Sequence, residues 1–453
     1  MFLKASSPSV GTVCLPTELR CNLALFSLPG AGSLRLPDPA LAMLFRLLFL
    51  AALVLIHGEL RAEPLLAAAG FAPKLIIYLA KGPPNSCGAG CDHWIAVEGK
   101  VDQAAASRVS RFLRNVKDTQ RPIYFHSPGG SVEPAYVIGR LLRGRKAVAR
   151  VGRTIVTACA AGTQVDDACL KIKTAGGEVE AEIATSHAMC NSACGYLLLG
   201  ATTREVAPDA AVAVHNSRLT FVVHGHPPAQ ALAAFRDRSM VKADRERAAF
   251  IAAMGIQHEL DDLIRTVKFE NIHILTRPEL YRLGVDTRAM AETAWTLQAE
   301  ARPYIRKVAL VKRRDDASFR TMEWRLFCDN KDRARLTFIR EFDKGAPARN
   351  AVIMMAGSEY PVSFGTIPVR IGFFEAWNGT ITSTAMNTLL AVPHLQMAEA
   401  APLPGGTTSQ EIFDIDASGL EPAWTKLLAS CPAAPNSVKP TIASPSPTSA
   451  PAH

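Results

Sequence analysis

What this sequence lacks narrows its function before any motif is read. Its apolar run near the N-terminus, residues 47–56, is well short of the roughly 20 residues that cross a bilayer. No block of like charge is present either. The 50 Lys and Arg lie scattered among 41 Asp and Glu, so the net charge of +9 speaks for solubility rather than for a nucleic-acid partner. The cysteines show neither a regular C-x2-C spacing nor the partnered histidine of a zinc site, and no metal is expected. An H-x-H pair, His224 and His226, sits in a Pro-flanked stretch that reads as a solvated loop. No cofactor is implied.

A chain of 453 residues, 48% hydrophobic and 20% charged, is globular and long enough for two or three domains. From Met43 the residues "MLFRLLFLAALVLIHGELRAEP" place one Arg, an apolar run and then a polar stretch ending in Ala62. That is the layout of a signal peptide over residues 43–62. Residues 1–42 are rich in Pro, Ser and Leu without periodicity and make poor sense ahead of a signal. Translation is therefore expected to start at Met43, with 1–42 an over-extended reading of the gene. The mature chain is expected in the periplasm or the medium, with a membrane contact only if the signal stays uncleaved.

Past Ala62 eight cysteines remain: Cys87, Cys91, Cys159, Cys169, Cys190, Cys194, Cys328 and Cys431. An even count in an exported chain suggests disulfides. Neighbours along the chain suggest 87–91, 159–169, 190–194 and 328–431, a connectivity that order alone does not prove. Export also weakens Cys190 or Cys194, near His187, as a nucleophile, because a reactive thiol there is oxidised or paired.

Apolar runs and helical spacings alternate through the first two thirds of the chain. "PKLIIYLA" and "DHWIAVEGKV" read as strands, "QAAASRVSRFLRNV" as a helix, "RPIYFHSPGGS" as a buried strand ending in a Pro-Gly-Gly turn, and "VEPAYVIGRLLRGR" as the next helix. A Gly-containing insertion follows at about 152–182. Then come "IATSHAMC" (strand), "SACGYLLLGA" (helix), "AAVAVHNS" (strand), a long helical region over about 228–266, "NIHILT" (strand) and "RPELYRLG" (helix). This order predicts an α/β domain over 63–300. Around residue 300 the character changes to β-rich runs such as "TMEWRLFCDN" and "VRIGFFEAWNGTITSTAMNTLLAV", predicting a smaller, mainly β domain over 302–432. Residues 433–453, rich in Pro, Ser and Ala, read as a disordered tail.

Three pieces of the first domain suit one chemistry. "SPGG", residues 127–130, closes a strand and opens a helix, where glycine lets backbone N–H groups face a developing negative charge. Ser192 lies where a strand gives way to a helix, a place where a serine is most often an N-cap. His215 ends the strand "AAVAV", where a histidine is usually structural or exposed. A serine nucleophile needs such a base within hydrogen-bond reach.

In this order, "HSPGGS" followed by "NSACGYLLLGATTREVAPDAAVAVHNS" resembles the proteolytic subunit of the Clp protease and its relatives in the crotonase-like superfamily, over about residues 73–287. The stretch is also similar to secreted Clp-like bacterial proteins with paired cysteines around the serine. The resemblance implies a ββα superhelix, with Ser192 as nucleophile, His215 as general base and an oxyanion held by the backbone N–H groups of Gly129 and Ala193. The family's third residue is an Asp; here "FENIHILT" puts Asn271 at that place, with Glu270 beside it. Asn can orient an imidazole but cannot stabilise imidazolium by charge. The Ser–Lys dyad of signal-peptide peptidases needs a buried Lys, and none stands out in the core segments. Crotonase chemistry on acyl-CoA is disfavoured because those substrates are cytoplasmic.

Two functions fit. One is an exported Clp-like serine peptidase acting through an acyl-enzyme on Ser192; without an ATP-driven unfoldase it is restricted to flexible or small peptides. The other is a non-catalytic binding or scaffold protein that keeps the fold. Relatives form rings or stacked oligomers, so the resemblance also implies a homo-oligomer.

Overall fold

The computed structural model describes residues 72–431 except 222, 224, 314–317, 343–350, 365–367 and 403–407. The expected upstream extension, signal peptide and tail lie outside the described residues, as does His224.

The first part is built from strands β1 (Ile76–Lys81), β2 (His93–Glu98), β3 (Ile123–His126), β4 (Val148–Val151), β5 (Arg153–Val156), β6 (Glu178–Ala184), β7 (Met189–Asn191), β8 (Thr203–Glu205), β9 (Ala211–Val214) and β10 (His273–Ile274). Its helices are α1 (Ala105–Asn115), α2 (Val132–Gly144), α3 (Asp167–Thr174), α4 (Ala193–Gly200), α5 (Ala229–Ala253), α6 (Glu259–Thr266) and α7 (Arg277–Arg282). Seven strands form one sheet in the order β5-β6-β1-β2-β3-β4-β8, and β10-β9-β7 form a smaller one. The fold is thus mixed α/β.

Apolar spacing explains the layering. In α1 the buried residues Ala105, Val109 and Leu113 recur every fourth position, one stripe of the helix, and pack with Ile138 and Leu142 of α2 against Val97, Ile123 and Phe125. Helix α4, "ACGYLLLG", has no polar face and is buried at every residue. It crosses α2 at backbone contact: a Cβ on Gly200 would lie 2.3 Å from the Cα of Gly139.

Three elements differ from the sequence pattern. The helical region over 228–266 breaks into α5 and α6 because Gly255 takes a left-handed φ of 67°, which ends the helix. "IATSHAMC" is interrupted by a turn in which His187 has φ 57°, so its two ends belong to different strands, β6 and β7. The segment read as an insertion supplies β5 and β6 to the edge of the main sheet; β6 runs parallel to β1, and Cys159–Cys169 closes the segment.

The second part begins with β11 (Met290–Glu292), β12 (Thr296–Gln298), β13 (Tyr304–Lys312), β14 (Phe319–Asn330) and β15 (Arg333–Glu341). It continues with β16 (Ala351–Ala356), β17 (Glu359–Ser363), β18 (Val369–Ile371), β19 (Phe374–Thr382), β20 (His394–Pro402) and β21 (Thr408–Asp416). One sheet has the order β11-β13-β14-β15-β19-β18, with β12 also on β13, and a second has the order β17-β16-β20-β21. Trp324, Phe338 and Trp377 stack across neighbouring strands of the first sheet, with ring centroids 5.3 and 5.5 Å apart. Among the described residues one helix interrupts this β-rich region, α8 (Ser383–Leu390), and another follows its last strand, α9 (Leu420–Ala429). Helix α8 lies inside a run that reads as strand. It starts because the Thr382 side chain accepts the Ala385 N–H at 3.2 Å, a cap easily missed in a β-rich window. Among the described residues no helix is long and apolar enough to cross a membrane.

Candidate active site

Ser192 stands between β7 and α4 with φ 53° and ψ −122°, a backbone conformation that residues with a Cβ rarely adopt. Its side chain makes no cap hydrogen bond, so it is not an ordinary N-cap. What holds the strain is on either side. Ser192 N–H donates to Ala213 O at 2.8 Å, and Gly195 N–H donates back to Ser192 O at 2.9 Å. Cys190 and Cys194, both fully buried, form a disulfide across the serine with Cα atoms 5.0 Å apart. The other three pairs, Cys87–Cys91, Cys159–Cys169 and Cys328–Cys431, are also joined.

The glycine turn packs directly on this serine. A Cβ on Gly129 would lie 2.8 Å from the Ser192 Cβ and 3.1 Å from Ala193 N, and Gly129 itself has φ 101°. Only glycine fits there. The Gly129 N–H donates to Ser127 Oγ at 3.1 Å, so one of the two expected oxyanion donors has a partner within the turn. Ala193 lies in the first turn of α4, where backbone N–H groups lack intrahelical acceptors.

The base side is looser. Strands β7 and β9 are parallel, with Asn191 opposite Ala213, so Ser192 and His215 leave adjacent strands at the same end. Among the described residues no hydrogen bond joins Ser192 Oγ to His215. The His215 ring packs edge-on against Phe269, centroids 5.1 Å apart, and its Nδ1 is buried without a partner. Asn271 is exposed and lies beyond the β9–β10 pairing, which begins with His273 opposite Val214. Its N–H donates to Lys268 O at 3.0 Å, and it makes no bond to His215 among the described residues. Glu270 is turned to Arg218, at 3.0 Å. The serine, the glycine turn and the histidine strand are brought together; the expected third residue is not.

Two residues beside the site are not among the candidates read from the sequence. Phe269, beside His215, carries no local signal. His126 does carry one, its place directly before "SPGG": its Nδ1 accepts the Met189 N–H at 3.2 Å. Burial pushes the imidazole down to about 4, against the pull of Glu98 and with help from Arg153 and Lys173. A buried lysine also exists, Lys173 on α3, but it is ion-paired to Glu98 at 2.8 Å. Among the described residues no cluster of three His, Cys, Asp or Glu is arranged to hold a metal ion.

Comparison with known proteins adds little to this geometry. No family model matches the chain, and no curated protein matches it. Among solved structures it is similar to a serine-to-alanine mutant of the 1510-N membrane-bound stomatin-specific protease, at TM-score 0.25 and 15% identity over 41% of this chain and 73% of that one. A lysine-to-alanine mutant of the same protease, in complex with a substrate peptide, is similar at TM-score 0.25 and 14% identity over 42% and 71%. Invasion associated protein b from Bartonella henselae is similar at TM-score 0.23 and 11% identity over 31% and 93%. Likenesses this distant carry no argument about the site.

Proposed function

We propose that the chain is an exported serine hydrolase of the Clp-like, ββα-superhelix type, a peptidase that forms an acyl-enzyme on Ser192 with His215 as general base. The observation that carries this reading is the strained backbone of Ser192, bare of any capping bond, pressed against a glycine that admits no side chain. Strain of this kind persists only where the surroundings over-determine it, and a sharp strand-to-helix turn presents a serine hydroxyl outward. In this reading His215 takes the Ser192 proton as the hydroxyl attacks a peptide carbonyl. The Ala193 N–H faces the oxyanion, joined by the Gly129 N–H once it turns from Ser127 Oγ, and the proton passes to the leaving amine. The substrate is a flexible or small peptide, the four disulfides suit a periplasmic or secreted chain, and the family resemblance implies a homo-oligomer. A fluorophosphonate probe tests it: wild type labels and Ser192→Ala does not. Equal labelling of both sinks the reading.

A second reading, a binding protein that keeps the fold without catalysis, is favoured by the orphaned Nδ1 of His215 and by the exposure of Asn271. Peptide hydrolysis that disappears in His215→Ala contradicts it.

A further inference from the structure

The histidine ahead of the glycine turn has a task that neither proposed catalytic role accounts for. His126 closes β3, and its Nδ1 accepts the Met189 N–H at 3.2 Å. The backbone continues the same seam: Ser127 N–H donates to Met189 O at 2.8 Å, and Asn191 N–H donates to Ser127 O at 3.0 Å. On the opposite side, Gly99 N–H donates to His126 O at 3.1 Å. Three bonds in succession therefore set the glycine turn against the strand that leads into Ser192. Only one of them depends on a side chain, and that side chain titrates. The seam has no slack, because Gly129 and Ser192 meet where a Cβ on the glycine would be 2.8 Å from the serine Cβ.

We propose that His126 is a positioning residue of this site: its neutral ring, with hydrogen on Nε2, keeps the glycine turn in register with Ser192, and protonation in acid releases it. The proposal rests on the reading of Ser192 as the nucleophile. Nδ1 accepts the Met189 N–H only while it carries no proton of its own, which leaves the hydrogen on Nε2. The charged groups facing the ring are Glu98 on β2, Arg153 on β5 and Lys173 on α3, while β7 brings none. Glu98 favours the imidazolium, but it is committed to Lys173 at 2.8 Å and also accepts from Tyr78 and the Thr154 N–H. Arg153 and Lys173 oppose the imidazolium, and burial, the largest influence, holds the ring near 4. The site is therefore assembled at neutral pH and in mild acid, and loosens as the pH falls through about 4.

The test uses the full-length protein and two variants, His126→Gln, which keeps an acceptor that does not titrate, and His126→Leu, which has none. Histidine ¹⁵N NMR is expected to show hydrogen on Nε2 at neutral pH. Protection of the Met189 amide, relative to its intrinsic exchange rate at each pH, is expected to be high, to fall below about pH 4 in wild type, and to stay high in His126→Gln. Labelling of Ser192 at neutral pH stays within about threefold of wild type in His126→Gln and falls on the order of 10- to 100-fold in His126→Leu. Hydrogen on Nδ1, a Met189 amide equally protected in wild type across the acid range, or a folded His126→Leu that labels at the wild-type rate overturns the proposal. If His126→Leu does not fold, the tautomer and the acid response of His126→Gln decide. A wild type that never labels removes the nucleophile reading, while NMR and exchange still judge the seam.

Discussion

The two sides of the candidate site are built to different standards. Around Ser192 the backbone is closely held, although Asn191 Oδ1 beside it is buried without a partner: a disulfide brackets the serine, a neighbouring strand takes its N–H, and Gly129 packs against its Cβ. Around His215 the supports are an aromatic edge and a strand end, with one ring nitrogen left unsatisfied in the interior. A buried polar atom without a partner costs free energy, so the histidine side is where the site is least settled and most open to rearrangement. Strain on one side and slack on the other suit a nucleophile held ready for a base that a bound ligand brings to order.

The sharpest way to break this comparison is to add one carbon to the rigid side. Gly129→Ala is expected to lower labelling of Ser192 on the order of 100-fold and to cost about 3 kcal/mol in urea unfolding, since its Cβ meets Asn191 O at 2.6 Å from a left-handed backbone. A variant as stable as wild type contradicts the tight packing. Acid comes next. His126 titrates near 4 when folded against an ordinary value near 6.5, so the unfolded chain takes up a proton that the folded chain refuses. Its contribution is complete above about 6.5 and is lost as the pH falls toward 4, about 3 kcal/mol in all. Unfolding midpoints of wild type and His126→Gln across that range measure it, and parallel curves refute it.

The double change Cys190→Ala with Cys194→Ala is expected to cost about 2 kcal/mol, because the closed loop is short, and to slow labelling more than it lowers stability. Labelling at the wild-type rate shows that the turn holds itself. The smallest effect belongs to the slack side. Asn271→Ala is expected to leave labelling within about threefold of wild type, as an exposed residue without a bond to the base has little to lose. A large loss there shows that Asn271 reaches His215 when ligand is bound.

How much of this was legible in the sequence follows from how local each signal is. The bend around Ser192 announces itself within a few residues, through two cysteines four apart and an apolar run that admits only a buried helix. The alternation of apolar strands and striped helices likewise shows the mixed α/β layering. The histidine side depends on residues far apart in the chain, and Asn271 falls away from His215 because the β9–β10 pairing begins only at His273, which no spacing reveals. Helix α8 escaped because its cap is a single threonine inside a β-rich window. His126 was in plain view but reads as one more strand residue, since its meaning lies in the amide of Met189 across the seam.

The bridge between Cys190 and Cys194 has one more consequence. Both sulfurs belong to residues with no exposed surface, so a small thiol in the surroundings can attack the bond only after this region has opened. The lifetime of the cross-link therefore depends on how often the fold opens as well as on the reducing strength of the medium. Once shut, the loop carrying Ser192 keeps its own redox history, insulated from passing changes outside.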